Sequence, residues 1–131
     1  MDAAAPPVRR PFYETLGIAL LEARDGRSRV RMPANPGLAN GRGDVHGGAI
    51  AALLDAALSS AARSSLPAGH STATITYTTS FLLPGRGTLT AEGEVLRGGR
   101  TIVSVAARVL NEQGALVAHA IGSMRAIRPK D

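Results

Sequence analysis

A single acid inside an apolar, helix-forming run is the first feature of this chain whose chemistry needs explaining. Asp55 lies within GGAIAALLDAALSSAAR, residues 47–63, and the residues about one helical turn from it, Ala51, Ala52, Leu58 and Ser59, are small or apolar. An unpaired buried carboxylate is strongly unfavourable. Either a neighbouring hydroxyl or amide satisfies it, or it stands in a partly dry cleft as a base. Nine residues earlier, His46-Gly47-Gly48 opens the same run. Two glycines there permit a tight entry into a helix. They also let a ligand reach the backbone, where the first N–H groups have no internal partners and the helix dipole favours negative charge. Such an amide, with Gly48 as the expected donor, can take up charge developing on a carbonyl oxygen.

The spacing adds a constraint. Gly48 and Asp55 are seven residues apart, which returns to within about 20° of one helix face but separates them by roughly 10 Å along the axis. A carbonyl polarised at one end cannot meet a water activated at the other. Two antiparallel copies related by a two-fold axis bring Gly48 of one chain to Asp55 of the second. This chemistry therefore predicts at least a dimer with shared sites.

The elements that must position these residues follow from pattern. Seven alanines and three leucines among the 17 residues of the run, with no polar stripe, predict one long helix buried nearly all round. Ahead of it, PFYETLGI reads as a short helix. ALLEA and RVRMP read as two short strands joined at Arg24-Asp25-Gly26-Arg27, and residues 34–46, ANPGLANGRGDVH, as a loop. Behind it, TATITYTTSF, GTLTAEGEVLRG, RTIVSVAARVLN and ALVAHAIGSMRAI alternate and are rich in β-branched residues, broken at Pro84-Gly85, Gly98-Gly99 and Gly114. They predict an antiparallel meander. The expected architecture is α+β: an antiparallel sheet of five or six strands wrapped on one long central helix. Residues 1–10 read as a flexible tail and residues 11–131 as a single domain.

Composition narrows the function. Hydrophobic residues make up 44% of the 131 and charged residues 19%, a globular balance. The net charge of +5 favours an anionic partner. The arginines are scattered, however, and Phe12, Tyr13, Tyr77 and Phe81 are the only aromatics, so a nucleic-acid platform is not expected. A phosphorylated small molecule fits better, and the four aromatics are the ones available to line its pocket. With no Cys and with His46, His70 and His119 far apart, no metal site is expected. No apolar run approaches the roughly 20 residues of a membrane span, and MDAAAPPVRRP lacks the apolar stretch of a signal peptide. The cytoplasm is the expected location.

The run NGRGDVHGGAIAALLDAALSSAA resembles the hotdog-fold acyl-CoA thioesterases of the phenylacetate-degradation type. Their pattern has an Asn six residues before the His of His-Gly-Gly and an acid nine after it, and Asn40, His46, Gly47, Gly48 and Asp55 stand at those spacings. The likeness covers about residues 15–127 and includes TITYTTSFLLPGRG. It implies the hotdog fold and hydrolysis of an acyl-CoA thioester to a carboxylic acid and CoA, with no cofactor. It further implies Asp55 as general base or nucleophile, the Gly48 N–H on the carbonyl, Asn40 and His46 shaping the site, and Thr74 near the water. Relatives often carry Arg-Pro where this chain has Leu83-Pro84. The CoA contacts are therefore expected from Gly47, Arg86, Arg97, Gly99 and Arg100. The assembly would be a homodimer or a dimer-of-dimers tetramer. A hotdog acyl-thioester dehydratase or hydratase and a non-catalytic acyl-CoA-binding protein are the alternatives. His70 and His119 read as ordinary loop and strand residues, and Ser59 as a helix-packing serine.

Overall fold

The computed structural model describes residues 9–130, so most of the expected tail lies outside the described residues. Arg9 and Arg10 are joined to the first helix: Arg9 pairs with Glu14 at 2.6 Å, and the Arg10 carbonyl accepts the Glu14 N–H. That helix, α1 (Pro11–Leu16), begins on a proline and stops at Gly17, whose φ of 74° is left-handed. Strands β1 (Ala19–Arg24) and β2 (Arg27–Met32) form the expected hairpin. Asp25 and Gly26 both take positive φ at its tip, the geometry that matches strand twist.

The long run becomes α2 (Gly47–Ser64), followed by β3 (Ser71–Phe81), β4 (Leu89–Arg97), β5 (Ile102–Leu110) and β6 (Leu116–Ile127). All six strands form one antiparallel sheet in the order β1-β2-β4-β5-β6-β3, and α2 rests against every strand. The chain thus adopts the expected hotdog architecture. It departs from a simple meander at one point. β3 pairs with β6 and not with its successor β4. Having crossed from α2, it lands on the far edge, and β2 takes the place beside β4.

Leu53, Leu54 and Leu58 on the inner side of α2 are fully buried, as are Met32, Leu89, Val103, Val105, Val109 and Met124 from the sheet. Each such side chain contributes about 1.5–3 kcal/mol by leaving water. The helix sits very close to the strands at one place. Buried Ser28 Oγ donates to the Ala57 carbonyl at 2.7 Å. A Cβ at Gly93 would strike that carbonyl and lie 2.6 Å from Ser28 Oγ.

The expectation of all-round burial for α2 is overturned. Gly48, Ala51, Ala52, Asp55, Ser59 and Arg63 stay partly or fully exposed along one stripe. A single sheet covers one side of a helix only, and small residues on the other side do not reveal in sequence that nothing covers them.

Gly93→Ala is expected to destabilise the fold by about 1–3 kcal/mol through overpacking. Denaturant unfolding checks this: the midpoint should fall with an unchanged slope.

Candidate active site

The loop ahead of α2 is closed by its own backbone. Asn40 Oδ1 accepts the N–H groups of Arg42 (2.9 Å) and Asp44 (3.1 Å), while Asn40 N–H donates to the Asp44 carbonyl at 2.7 Å. Val45 N–H reaches Gly85, and His46 N–H reaches Leu38. Arg86 Nε pairs with Asp44 Oδ1 at 2.7 Å. Asn40 therefore folds the loop that delivers His46 to the helix. Arg86, expected to meet phosphate, is engaged with a carboxylate.

His46 is the N-cap residue of α2, and its Nδ1 accepts the Gly48 N–H at 2.8 Å. The Gly48 amide, the expected donor, is thus engaged within the chain in this structure. Among the described residues the Gly47 N–H makes no hydrogen bond. It is the first amide of the helix, at the positive end of the dipole. The Phe81 ring lies 3.7 Å from where a Gly47 Cβ would stand. Gly47 and Asn40 line a cavity of about 340 Å³ with Phe81, Leu82, Leu83 and Pro84.

Asp55 is half-buried on the open stripe of α2. Thr74 Oγ1 donates to its Oδ1 at 2.6 Å, a short bond of the charge-assisted kind, and lies 3.4 Å from Met124 Sδ. The fold thus brings Asp55 and Thr74 together. Ser59 turns its hydroxyl to Met124 Sδ at 3.9 Å, as a packing serine does. Tyr77 OH donates to the Ala51 carbonyl at 2.9 Å. Burial raises the Tyr77 pKa above the ordinary phenol value, and the Asp55 charge raises it further. The same two causes, in that order, raise Tyr13 on α1, opposed by Arg10 and Arg63. Burial chiefly, and then the charge of Arg10, lowers Arg63.

Arg97, Gly98, Gly99 and Arg100 form the exposed β4–β5 turn, and among the described residues neither arginine has an ion-pair partner. A side chain at Gly99 would collide with the Ile102 carbonyl, so that glycine serves the turn. Register across the sheet aligns Arg97 with Ser104, Ser123 and Thr76, at the Thr74 end of β3. The Phe81 end of β3, beside Gly47, is the opposite one. A larger depression of about 480 Å³ is lined by ion-paired Arg27, Glu92, Glu94 and Arg108. It lies on the face of the sheet that α2 does not touch, away from Asp55. Among the described residues no group of acids and histidines could hold a metal ion, and no helix is long and apolar enough to cross a membrane.

Residues 42–118, spanning His46, Gly47, Asp55 and Thr74, match the model of the thioesterase superfamily. The chain belongs to this superfamily. A protein of Halobacterium salinarum whose name provisionally assigns it to the esterases is 44% identical over 92 residues, 66% of this chain and 61% of the relative. The match therefore spans less than two thirds of that relative. The E. coli PaaI protein, from the phenylacetic acid degradation operon, superposes with a TM-score of 0.85 at 28% identity, over 92% of this chain and 87% of that one. The Bacillus halodurans protein BH2602, solved with CoA, gives 0.85 at 32% identity, over 93% and 82%.

Both tyrosines are expected to ionise above the ordinary phenol range, near 10, in the native superfamily chain, and within that range once unfolded. Phenols that hold protons longer when folded contribute stability below the ordinary range, and lose it as pH rises through the folded values. Absorbance titration of the native and denatured protein reads this. Asp55→Asn should reduce both upward shifts.

Proposed function

We propose that this protein hydrolyses an acyl-CoA thioester to a carboxylic acid and free CoA, at sites shared between two copies of the chain. The observation that carries this reading is the presence of two unlike, partly exposed groups on one helix. One is the unpartnered Gly47 amide at the helix start, and the other is the Asp55 carboxylate oriented by Thr74. The first suits a developing oxyanion and the second a general base or nucleophile. They are eight residues apart, hence about 12 Å along the axis, too far to act on one carbonyl.

A second copy removes that obstacle, and β3 supports the way it docks. This edge strand of 11 residues, STATITYTTSF, has no charge and no proline, and it leaves Ile75 53% and Phe81 52% exposed. Natural edge strands are usually short, charged or covered. An uncovered edge of this kind favours antiparallel pairing with its twin. Pairing two β3 strands about a two-fold axis sets the two α2 helices side by side and antiparallel, so that Gly47 of one chain approaches Asp55 of the other.

In the proposed reaction the Gly47 N–H binds the thioester oxygen. Asp55 from the other chain takes a proton from water as that water adds to the carbonyl carbon, or its carboxylate adds directly to give an anhydride that water then opens. The C–S bond breaks, and the CoA thiolate leaves and is protonated. One backbone donor of this kind contributes about 3 kcal/mol to the barrier reduction. Arg97 and Arg100 meet the CoA phosphates in this reading, because neither has an ion pair among the described residues and both sit toward the Asp55 end of the sheet. The CoA held by the Bacillus halodurans relative supports that ligand class.

Asp55→Ala is expected to lower kcat at least about a hundredfold, while sedimentation gives an unchanged oligomer. Retained turnover, read by release of free thiol, would remove the base from this reading. Gly47→Pro tests the donor. Proline is tolerated at the first helical position, and His46 already has the extended backbone that precedes a proline (φ −59°, ψ 136°). Only the N–H is lost, and kcat should fall by about two orders of magnitude or more with the helix intact by circular dichroism.

A further inference from the structure

Three side chains of β3 meet α2 at successive turns. Thr74 reaches Asp55, Tyr77 reaches the Ala51 carbonyl, and Phe81 lies against Gly47. On an unbroken strand residues 74 and 77 would face opposite sides, because side chains alternate. The pairing of β3 with β6 slips between Thr74 and Thr76, with Ile75 as the extra residue. That bulge reverses the alternation and turns both side chains toward the helix. Gly122 on β6 makes the room, since a Cβ there would lie 2.6 Å from Tyr77 Cβ and 2.7 Å from the Thr76 carbonyl. A bulge and a glycine thus combine to lay a phenol across the gap between strand and helix.

The place of the phenol gives it a function. Ala51 lies four residues beyond Gly47 and four before Asp55, so the tether joins strand to helix about 6 Å along the axis from either group. Ala51 and Ala52 are small and half-exposed, so the ring is the bulkiest group between strand and helix at this level. Burial and the nearby Asp55 charge keep the hydroxyl protonated, so the donor to Ala51 persists across ordinary pH.

We propose that the acyl chain runs along α2 from Gly47 and that Tyr77 is a crossbar stopping it midway between β3 and α2, selecting short acyl groups over extended ones. This rests on the thioesterase reading above, and it assigns the specificity of that site to one side chain. A chain whose carbonyl sits at Gly47 meets the ring before it has run the distance to Asp55.

The test measures thiol release from straight-chain acyl-CoAs, butyryl through decanoyl, by wild type and by Tyr77→Ala, Tyr77→Leu and Tyr77→Phe. It also measures binding of the non-hydrolysable butyl and decyl thioether analogues by calorimetry. The kcat/KM ratio of decanoyl over butyryl should rise about tenfold or more in Tyr77→Ala, chiefly through KM. Tyr77→Leu should follow it, and Tyr77→Phe, which keeps the ring and loses the tether, should lie between them and wild type. The analogue affinities should shift in the same order. A uniform loss at every chain length, the result of a merely structural role, would overturn the crossbar, as would parallel binding in all four proteins. Wild type that releases no thiol would sink the hydrolase reading alone, since the analogue binding still decides the crossbar.

Discussion

The hydrogen bond from Thr74 to Asp55 ties the two halves of this molecule together, and most of the architecture can be read as what that bond requires. A carboxylate on the open side of a helix has many rotamers available, and a 2.6 Å contact to a strand hydroxyl selects among them. For the hydroxyl to be there, β3 must run beside α2 at close range. The approach of helix to sheet is set elsewhere, where Ser28 bonds the Ala57 carbonyl and Gly93 keeps its Cα bare. It is set also by the bulge at Ile75, which aims Thr74 and Tyr77 at the same helix.

The helix start obeys a different constraint. Four N–H groups there lack helical partners, and the chain satisfies them selectively. His46 contributes both an imidazole acceptor for Gly48 and a carbonyl that receives Ala49 and Ile50. The amide left over is that of Gly47. Asn40 and the Asp44–Arg86 pair hold the loop, and Gly47 lines the cavity beside Phe81. An amide bonded to an imidazole is not free for a second acceptor, so the difference between two adjacent glycines follows from one hydrogen bond.

The two faces of the sheet carry opposite characters. The side away from α2 presents Arg27, Arg29, Glu92, Glu94 and Arg108 in cross-strand rows, with charges of opposite sign in register. The edge at β3 is apolar and uncharged. Charged rows discourage sheet faces from merging, whereas a bare edge with free N–H and C=O groups invites a strand. This asymmetry leaves β3 as the uncharged edge of the sheet.

Much of this was legible in the residues themselves. The alanine-rich run specified a helix through propensity, and alternation specified strands. Asp-Gly marked the hairpin, and the spacing of Asn40, His46, Gly47, Gly48 and Asp55 marked the site. The physical reason is that these are local properties, set by neighbours a few residues away. Three features had no such local signal. The position of β3 at the far edge depends on which strands compete for β4, and the open stripe of α2 depends on what lies beyond the helix. The bulge at Ile75 depends on register against β6, since TITYTT alternates smoothly in sequence. The choice of Gly47 over Gly48 as the free amide turned on the rotamer of one histidine. Local chemistry named the candidate groups, and long-range packing decided which of their atoms were left exposed.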